Sequence, residues 1–281
     1  MKIGIIGDAK RALTWEKHLR TLSSIEEVVI VPKIQEIKNV DACILIDDTS
    51  SNCSSLLELI RRGYHTYLVS RLPSDIQELE KIYHASQEAG VHVQFSHWPS
   101  LAPSTLWLKQ QVKKPDFIQI LKEESRSDYR SSSIGFRDHW VDELAFIMNW
   151  MGAKINRIDP ALLSIDEVPY GIQLFIKFTY GGSASLLYLS AGKDHAHRRI
   201  ITGNNQLLDC NVSTQIVKVT KNENGYFHST GKSFDASKTA EISIIQFLKS
   251  IHLNTQSLFD PFTALETAKT AEQIEHLLSR Q

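Results

Sequence analysis

The sequence predicts an α/β chain in two parts: a doubly wound parallel sheet, then an α+β domain whose sheet is open and largely antiparallel. Over the first hundred residues, short apolar runs alternate with helical patterns, as expected for parallel strands joined by crossover helices. From residue 171, apolar residues recur at every second position in successive segments, which indicates consecutive antiparallel strands. We place the boundary at about residue 103, giving domains 1–103 and 104–281.

The elements of the first domain follow from these runs. Strands are expected at 2–7, 28–31, 42–46, 67–69 and 91–95, and helices at 9–22, 56–62 and 74–87. Gly63 and Gly90 lie just beyond the second and third helices, where glycine commonly ends a helix.

The second domain is predicted to begin with a strand and a helix and to continue as a sheet. The strand is expected at 117–121 and the amphipathic helix at 138–151; further strands follow at 172–178, 184–189, 198–202, 206–212 and 214–220. Two last helices are expected at 240–251 and 262–279, and the second of them packs either within this domain or back on the first.

Composition excludes several classes of partner. The 31 basic and 32 acidic side chains nearly cancel, so neither nucleic acid nor an anionic membrane surface is expected as a partner. Cys43, Cys53 and Cys210 lack metal-ligand spacing, which favours free thiols in a reducing compartment. No apolar run reaches the roughly 20 residues that cross a bilayer, and no signal core opens the chain. We expect a cytoplasmic protein.

Several segments, taken in order, resemble one known family. They are Lys2–Gly7; Gly63-Tyr64-His65-Thr66-Tyr67-Leu68; Ala89–Val93 with Pro99 and Pro103; Phe175, Thr179, Gly181 and Gly182; and Phe247, Pro261 and Ala264. Together they resemble the Gfo/Idh/MocA family, the relatives of glucose–fructose oxidoreductase and inositol dehydrogenase. The resemblance implies a Rossmann-like first domain that binds NAD or NADP, and hydride transfer on a sugar-like alcohol. It also implies a homo-oligomer formed through the open sheet face, where Tyr188 and Phe175 are expected.

The loop after the first strand departs from the dinucleotide-binding pattern. It reads Gly7-Asp8-Ala9-Lys10-Arg11-Ala12. Glycines in such loops let backbone N–H groups approach the diphosphate at a helix N-terminus. Ala9 replaces one of these glycines and Asp8 adds a negative charge, which Lys10 and Arg11 offset. The loop therefore indicates the fold more strongly than it indicates a bound dinucleotide.

Two further cofactor positions are also altered. Lys33 stands where NAD enzymes carry an acid for the ribose hydroxyls, so it either favours the 2′-phosphate of NADP or is a plain surface lysine. Asp47 and Asp48 replace the family's Thr-Pro segment after the third strand. Two carboxylates there either repel a diphosphate or cap the turn into the next helix.

The family's catalytic lysine has no counterpart in this chain. Its Glu-Lys-Pro motif aligns with Val69-Ser70-Arg71 or, after a one-residue slip, with Arg71-Leu72-Pro73. Arginine stays charged at working pH, so Arg71 is suited to orienting the substrate and is a poor proton shuttle.

The family's histidine motif aligns with the helix at 138–151 in two ways. Counting back from Gly152 places Asp142 at the histidine position; a helix one turn longer makes His139 and Asp142 the His-x-x-Asp pair. His139 is then the acid/base, Asp142 a base and Asp138 a substrate contact. The alternatives are that His139 packs beside Trp140 and that Asp142 stabilises the helix dipole.

Two histidine segments remain. His97 and Trp98 lie at the link between the domains, where tryptophan can stack on a sugar ring or simply pack. His195 and His197 form a basic rim, which is either solvated or attracts an acidic sugar. A metal site that joins them to His139 is the least favoured interpretation, because no cysteine or suitably spaced carboxylate accompanies them.

Two functions compete on this evidence. The first is an NAD(P)-dependent oxidoreductase of the Gfo/Idh/MocA type with an eroded active site. The second is a non-catalytic relative that keeps the fold for binding a ligand or a protein.

Overall fold

The computed structural model describes residues 1–49, 51–125, 135–152, 154–192 and 195–280. The chain divides into two compact units, one of Met1–Leu101 with Ser237–Ala268 and one of Ala102–Ala236 with Lys269–Gln281. The first stretch thus ends two residues before the predicted boundary, and a later segment of the chain joins it. No helix among the described residues is long and apolar enough to span a membrane.

The first unit contains a five-stranded parallel sheet. Its elements are β1 (Lys2–Ile6), α1 (Ala9–Arg20), β2 (Glu27–Val31), β3 (Ala42–Ile46), α2 (Asn52–Arg61), β4 (His65–Val69), α3 (Ile76–Ala89), β5 (Val93–Phe95) and α4 (Trp98–Leu101). The strand order is β2-β1-β3-β4-β5, with every neighbouring pair parallel. The order reverses between β1 and β3, and ligands of doubly wound sheets bind at the carboxyl ends of the strands beside such a reversal.

The second unit contains an eight-stranded sheet, and helix residues pack with it in one hydrophobic core. Its elements are α5 (Pro103–Gln111), β6 (Phe117–Ser125), α6 (Phe136–Met151), β7 (Ile155–Ile165), β8 (Val168–Phe178), β9 (Ser183–Gly192), β10 (Ala196–Gly203), β11 (Gln206–Asn211), β12 (Ile216–Glu223) and β13 (Tyr226–Ser233). The order is β13-β12-β11-β10-β6-β9-β8-β7, and all pairs except β6–β9 are antiparallel. The predicted fold class is therefore confirmed.

Two further helices follow the sheet, α7 (Thr239–Leu253) and α8 (Pro261–Leu278). Helix α7 belongs to the core of the first unit, because Phe247 packs 5.7 Å from the ring of Tyr67 on β4. The Tyr67 hydroxyl lies 3.0 Å from Ser243 Oγ, so the polar end of this buried tyrosine is also satisfied by α7.

Strands β7 and β13 and helix α5 are not predicted by the sequence patterns. Strand β7 carries Pro160 and alternates poorly, and β13 is an edge strand that is exposed along its whole length. An exposed edge has no buried face, so it lacks the apolar alternation by which strands are recognised. Helix α5 starts with Pro103 in its first turn, where proline is well tolerated.

One of the two residues predicted for the open face of the sheet lies on the other face. Tyr188 pairs with Ile172, is fully buried and faces α6, with its ring 6.0 Å from Phe136. Phe175 pairs with Ser185 on the opposite face and is partly exposed. The expectation that Tyr188 lies on the open face is wrong, because alternate residues of a strand point to opposite faces and its pairing places it with the buried set.

Candidate functional site

Gly7 ends β1 at the reversal of strand order. Its φ is +139°, a conformation that L side chains rarely adopt. A Cβ built on it lies 2.5 Å from the carbonyl oxygen of Ile46 at the end of β3. Glycine is therefore required here by both the backbone conformation and the close approach of β3.

Asp8 caps the helix that follows. Its Oδ1 accepts a hydrogen bond from the backbone N–H of Arg11 at 3.0 Å, and its carbonyl oxygen accepts from Ala12 N–H at 2.8 Å. The side chains of Asp8, Ala9 and Lys10 are exposed. A carboxylate of the protein thus occupies the positive end of α1, which in dinucleotide-binding folds receives the diphosphate.

The other acidic residues of this edge also have partners within the chain. Asp47 accepts hydrogen bonds from the backbone and hydroxyl of Thr49, at 2.9 and 2.5 Å, and from Ser55 Oγ at 3.2 Å. Asp48 forms an exposed ion pair with Arg11. Asp47 therefore stabilises the turn into α2, and Asp48 is balanced by a cation of the glycine loop.

Lys33 and Arg71 follow the ends of β2 and β4, and both are exposed. The edge as a whole fits a dinucleotide: it has the reversal of strand order, the tight-turn glycine and the cations Lys10, Arg11 and Lys33. It fits the diphosphate only after Asp8 releases the Arg11 N–H, which an exposed side chain can do by rotation about its own bonds.

His97 and Trp98 pack within the first unit. His97 is buried, its Nδ1 lies 2.9 Å from Ser100 Oγ, and its ring stacks on Phe259 at 4.3 Å. Trp98 stacks on Trp15 of α1 at 6.3 Å and keeps 40% of its surface exposed. The structure thus shows a packing role for both residues, and Trp98 alone of the two presents an open ring surface.

In the second unit, His139 contacts Glu124 and Tyr188. The sequence patterns did not point to Glu124, and Tyr188 was expected on the open sheet face. His139 on α6 is buried, and its Nδ1 lies 2.7 Å from Glu124 Oε2 on β6. The Tyr188 hydroxyl donates to the same carboxylate oxygen at 3.1 Å, and its ring lies parallel to the imidazole at 5.7 Å. The histidine ring is thereby held in one orientation.

Lys122 supplies the positive charge of this cluster. Its Nζ lies 3.1 Å from Glu124 Oε1 and donates to the carbonyl oxygen of His139 at 2.7 Å. Burial alone would raise the pKa of Glu124, but the Lys122 ammonium outweighs it and holds that pKa below its ordinary value. An ionised carboxylate only accepts hydrogen bonds, so Nδ1 of His139 carries the proton and Nε2 is the basic ring atom.

Asp142 lies one helical turn beyond His139. Burial raises its pKa to about 6 against the opposing charge of Lys122, and the carboxylates of Glu143 and Asp138 raise it further. Asp138 itself is exposed in the first turn of α6. Burial thus brings the pKa of Asp142 closer to the range in which acid/base groups work.

A buried ion pair fastens α6 to the sheet next to this cluster. Arg199 on β10 donates to both carboxylate oxygens of Glu143, at 2.8 and 3.0 Å, and to Thr105 Oγ1 at 3.1 Å. His197 Nε2 lies 3.0 Å from Glu143 Oε1. Burial opposes ionisation of Glu143, yet Arg199 and His197 hold its pKa well below the usual range. These contacts of Glu143 with Arg199 and His197 fix the position of α6 on β6 and β10.

His195 is exposed, whereas His197 contacts Glu143. Within the described ranges, no three His, Cys, Asp or Glu side chains converge as metal ligands.

Sequence reasoning missed Lys122 and Glu124, although β6 contains the signal. Ile118 and Ile120 face α6, and the same alternation assigns Lys122 and Glu124 to that face. Charged residues on the buried face of a strand point to a paired cluster or a functional site, because an unpaired buried charge is costly.

Comparisons with known proteins agree with the fold. No protein-family profile matches the chain, and no curated protein matches it in sequence. Among solved structures, UDP-N-acetylglucosamine 3-dehydrogenase from Acidithiobacillus ferrooxidans is similar with a TM-score of 0.82 at 14% identity, over 99% of this chain and 97% of that one. An NAD binding oxidoreductase from Klebsiella pneumoniae gives 0.81 at 12% identity, over 100% and 97%. Levoglucosan dehydrogenase, in complex with NADH and L-sorbose, gives 0.79 at 10% identity, over 100% and 97%.

These structures have the Gfo/Idh/MocA dehydrogenase fold, and this chain has it over its full length. The resemblance inferred from the sequence segments is thus confirmed for the fold.

Proposed function

We propose that this protein is an NAD(P)-dependent oxidoreductase that transfers hydride to or from a sugar-like alcohol. The observation that carries the proposal is the cluster of His139, Glu124, Lys122 and Asp142, in which an oriented imidazole lies one helical turn from a carboxyl group whose pKa is raised by burial to about 6. The proposal assigns dinucleotide binding to the first unit and acid–base chemistry to the second.

The acid–base roles follow from the geometry of the cluster. Oxidation of an alcohol removes a hydride and a hydroxyl proton, and the nicotinamide, when bound, accepts the hydride. Nε2 of His139 takes the proton, because Glu124 fixes the tautomer in which Nε2 is basic and then balances the imidazolium charge. Asp142, one turn further along α6, is assigned as a second acid/base group. In the reverse direction the same groups protonate the developing alkoxide.

The remaining candidate residues take binding roles. Gly7 allows close approach of the backbone, and Lys10 and Lys33 provide cations for the dinucleotide, with Lys33 favouring the 2′-phosphate of NADP. In the first unit, Arg71 is exposed and suited to bind polar groups, and Trp98 offers a ring face for a sugar. In the second unit, Asp138 is exposed and suited to bind polar groups.

The proposal includes a homodimer formed through the sheet face opposite α6. That face carries partly exposed apolar side chains on adjacent strands: Leu121, Leu187, Phe175 and Ile200. An apolar stripe across several strands is typical of an interface between copies. Leu187→Lys is expected to yield monomers by sedimentation, and a wild-type monomer at micromolar concentration would contradict this part of the proposal.

Binding is measured first, by titrating the protein with NADH and with NADPH and following nucleotide fluorescence. Turnover is then assayed with a panel of sugars and polyols. His139→Asn is expected to lower kcat by about 10²–10⁴-fold. His252→Asn, an exposed histidine on α7, is the matched control and should leave kcat unchanged. Failure of both nucleotides to bind at millimolar concentration would overturn the enzyme proposal in favour of a non-catalytic relative.

A further inference from the structure

Helices α1 and α3 of the first unit begin with the same cap, an aspartate carboxylate on the third backbone N–H of the helix. Asp8 accepts from Arg11 N–H at 3.0 Å at the start of α1, and Asp75 accepts from Glu78 N–H at 2.9 Å at the start of α3. Only Asp8 directly follows Gly7, at the reversal of strand order where the sheet binds ligands. The same local motif therefore has different consequences at the two places.

At α1 the cap uses a hydrogen-bond donor that an approaching diphosphate needs. The N-terminal N–H groups of a helix bind anions because they have no partner within the helix. A single N–H cannot serve the Asp8 carboxylate and a phosphate oxygen at full strength at the same time. The two anions would also repel each other if both stayed at the helix end.

The neighbouring cations do not remove this competition. Arg11, one of the two cations in this loop, already forms an ion pair with Asp48. Asp47 adds a further carboxylate at the end of β3, held by Thr49 and Ser55. A diphosphate thus meets an edge whose positive groups are partly engaged by the chain's own acids.

We propose that Asp8 is an internal competitor for the dinucleotide diphosphate, so that the cofactor binds only by displacing the Asp8 carboxylate from the Arg11 N–H. This inference rests on the proposed function, since it presupposes that the first unit binds a dinucleotide. It assigns to Asp8 the control of cofactor affinity and gives it no part in the chemical step.

The test removes the charge of the cap and leaves a neutral, weaker hydrogen bond to the Arg11 N–H, which a diphosphate displaces more easily. Asp8→Ser retains an oxygen that caps a helix well. Asp75→Ser makes the same change at the other helix. The probes are NADPH, which contains the diphosphate, and adenosine 2′-monophosphate, which does not. Binding of each probe is measured by titration calorimetry on the full chain.

Asp8→Ser is expected to bind NADPH about tenfold or more tightly than wild type, because about 1.4 kcal/mol of repulsion corresponds to that factor. It should bind adenosine 2′-monophosphate as wild type does. Asp75→Ser should change neither affinity. Thermal unfolding checks that both variants fold, and Asp8→Asn, which is neutral and nearly isosteric, replaces Asp8→Ser if the serine variant does not.

The outcomes separate the inference from the function on which it rests. NADPH that binds wild type and Asp8→Ser equally well overturns the competition and leaves the proposed function intact. An equal gain for both probes also overturns it, because the effect would then be general electrostatics. NADPH that binds no variant overturns both.

Discussion

The carboxyl edge of the first unit and the helix–sheet cluster of the second hold their charged groups in opposite ways. At the edge the charges are exposed and pair locally, as in Arg11 with Asp48. Next to the cluster of the second unit, Glu143 and Arg199 are fully buried and are joined by two hydrogen bonds. Exposed pairs contribute about 0–1 kcal/mol, whereas breaking a buried pair costs several. The edge can therefore be rearranged by a ligand, while the cluster keeps its geometry before any ligand arrives.

The largest expected effect comes from breaking the buried pair. Arg199→Met leaves the Glu143 carboxylate buried without its main partner, so the free energy of unfolding should fall by about 3–5 kcal/mol in urea denaturation. Arg198→Met is the matched control, because Arg198 is the neighbouring residue and its guanidinium forms an exposed pair with Asp209. This substitution should lower the free energy of unfolding by less than about 1 kcal/mol. Equal costs for the two variants would remove the contrast between buried and exposed charge.

A smaller effect is expected at Gly7, the glycine at the carboxyl edge of the parallel sheet. Gly7→Ala forces a Cβ against the Ile46 carbonyl oxygen in addition to backbone strain, and should cost about 2–3 kcal/mol of unfolding free energy. Gly63→Ala is the control, since Gly63 also has a positive φ of +80° but its added Cβ meets nothing within 4 Å. That variant should cost about 1 kcal/mol from strain alone. The difference between them measures how rigidly β1 and β3 approach each other.

The smallest expected effect depends on pH, and its sign distinguishes the carboxyl group of Asp142 from that of the adjacent Glu143. The pKa of Asp142 is raised to about 6 from an ordinary 3.8, so the folded chain keeps a proton that the unfolded chain loses between those values. Stability then decreases as pH rises through this window. Asp142→Asn should be about 1–2 kcal/mol more stable than wild type at pH 8 and lose that advantage by pH 4, as measured by urea midpoints.

Glu143→Gln provides the comparison of opposite sign. The pKa of Glu143 is lowered in the folded chain, so its contribution to stability is present above the ordinary carboxyl pKa and is lost as pH falls toward the folded value. The variant should therefore be less stable than wild type at pH 8. A stabilising effect of Glu143→Gln at pH 8 would contradict the pairing of this buried carboxylate with Arg199.

The fold could be predicted from the sequence because its evidence is local. Apolar runs of strand length and glycines beyond helix ends mark the parallel sheet, and Gly90 indeed adopts the left-handed conformation after α3. The cap at Asp8 is equally local, since an aspartate just before a helix is a common N-terminal signal.

The candidate site could be predicted only in part, because its pairings are not local. His139 and Asp142 were accessible through the helix motif. Glu124, the partner of His139, lies on another element, and no spacing in the sequence places β6 beneath α6. The orientation of Tyr188 required the register with β8, and an error of one residue in register exchanges the two faces of a strand.

The core of the first unit has a consequence for synthesis of the chain. Trp15 and Tyr67 are made early, but Ile244 and Phe247, which cover them, are made only after all eight strands of the second unit. The emerging amino-terminal sheet must therefore present bare apolar surface throughout most of translation, a period in which nascent chains aggregate or recruit chaperones. For this protein the order of ribosomal synthesis and the order of folding therefore differ. The amino-terminal sheet is synthesised first, but its hydrophobic core is completed among the last parts of the molecule.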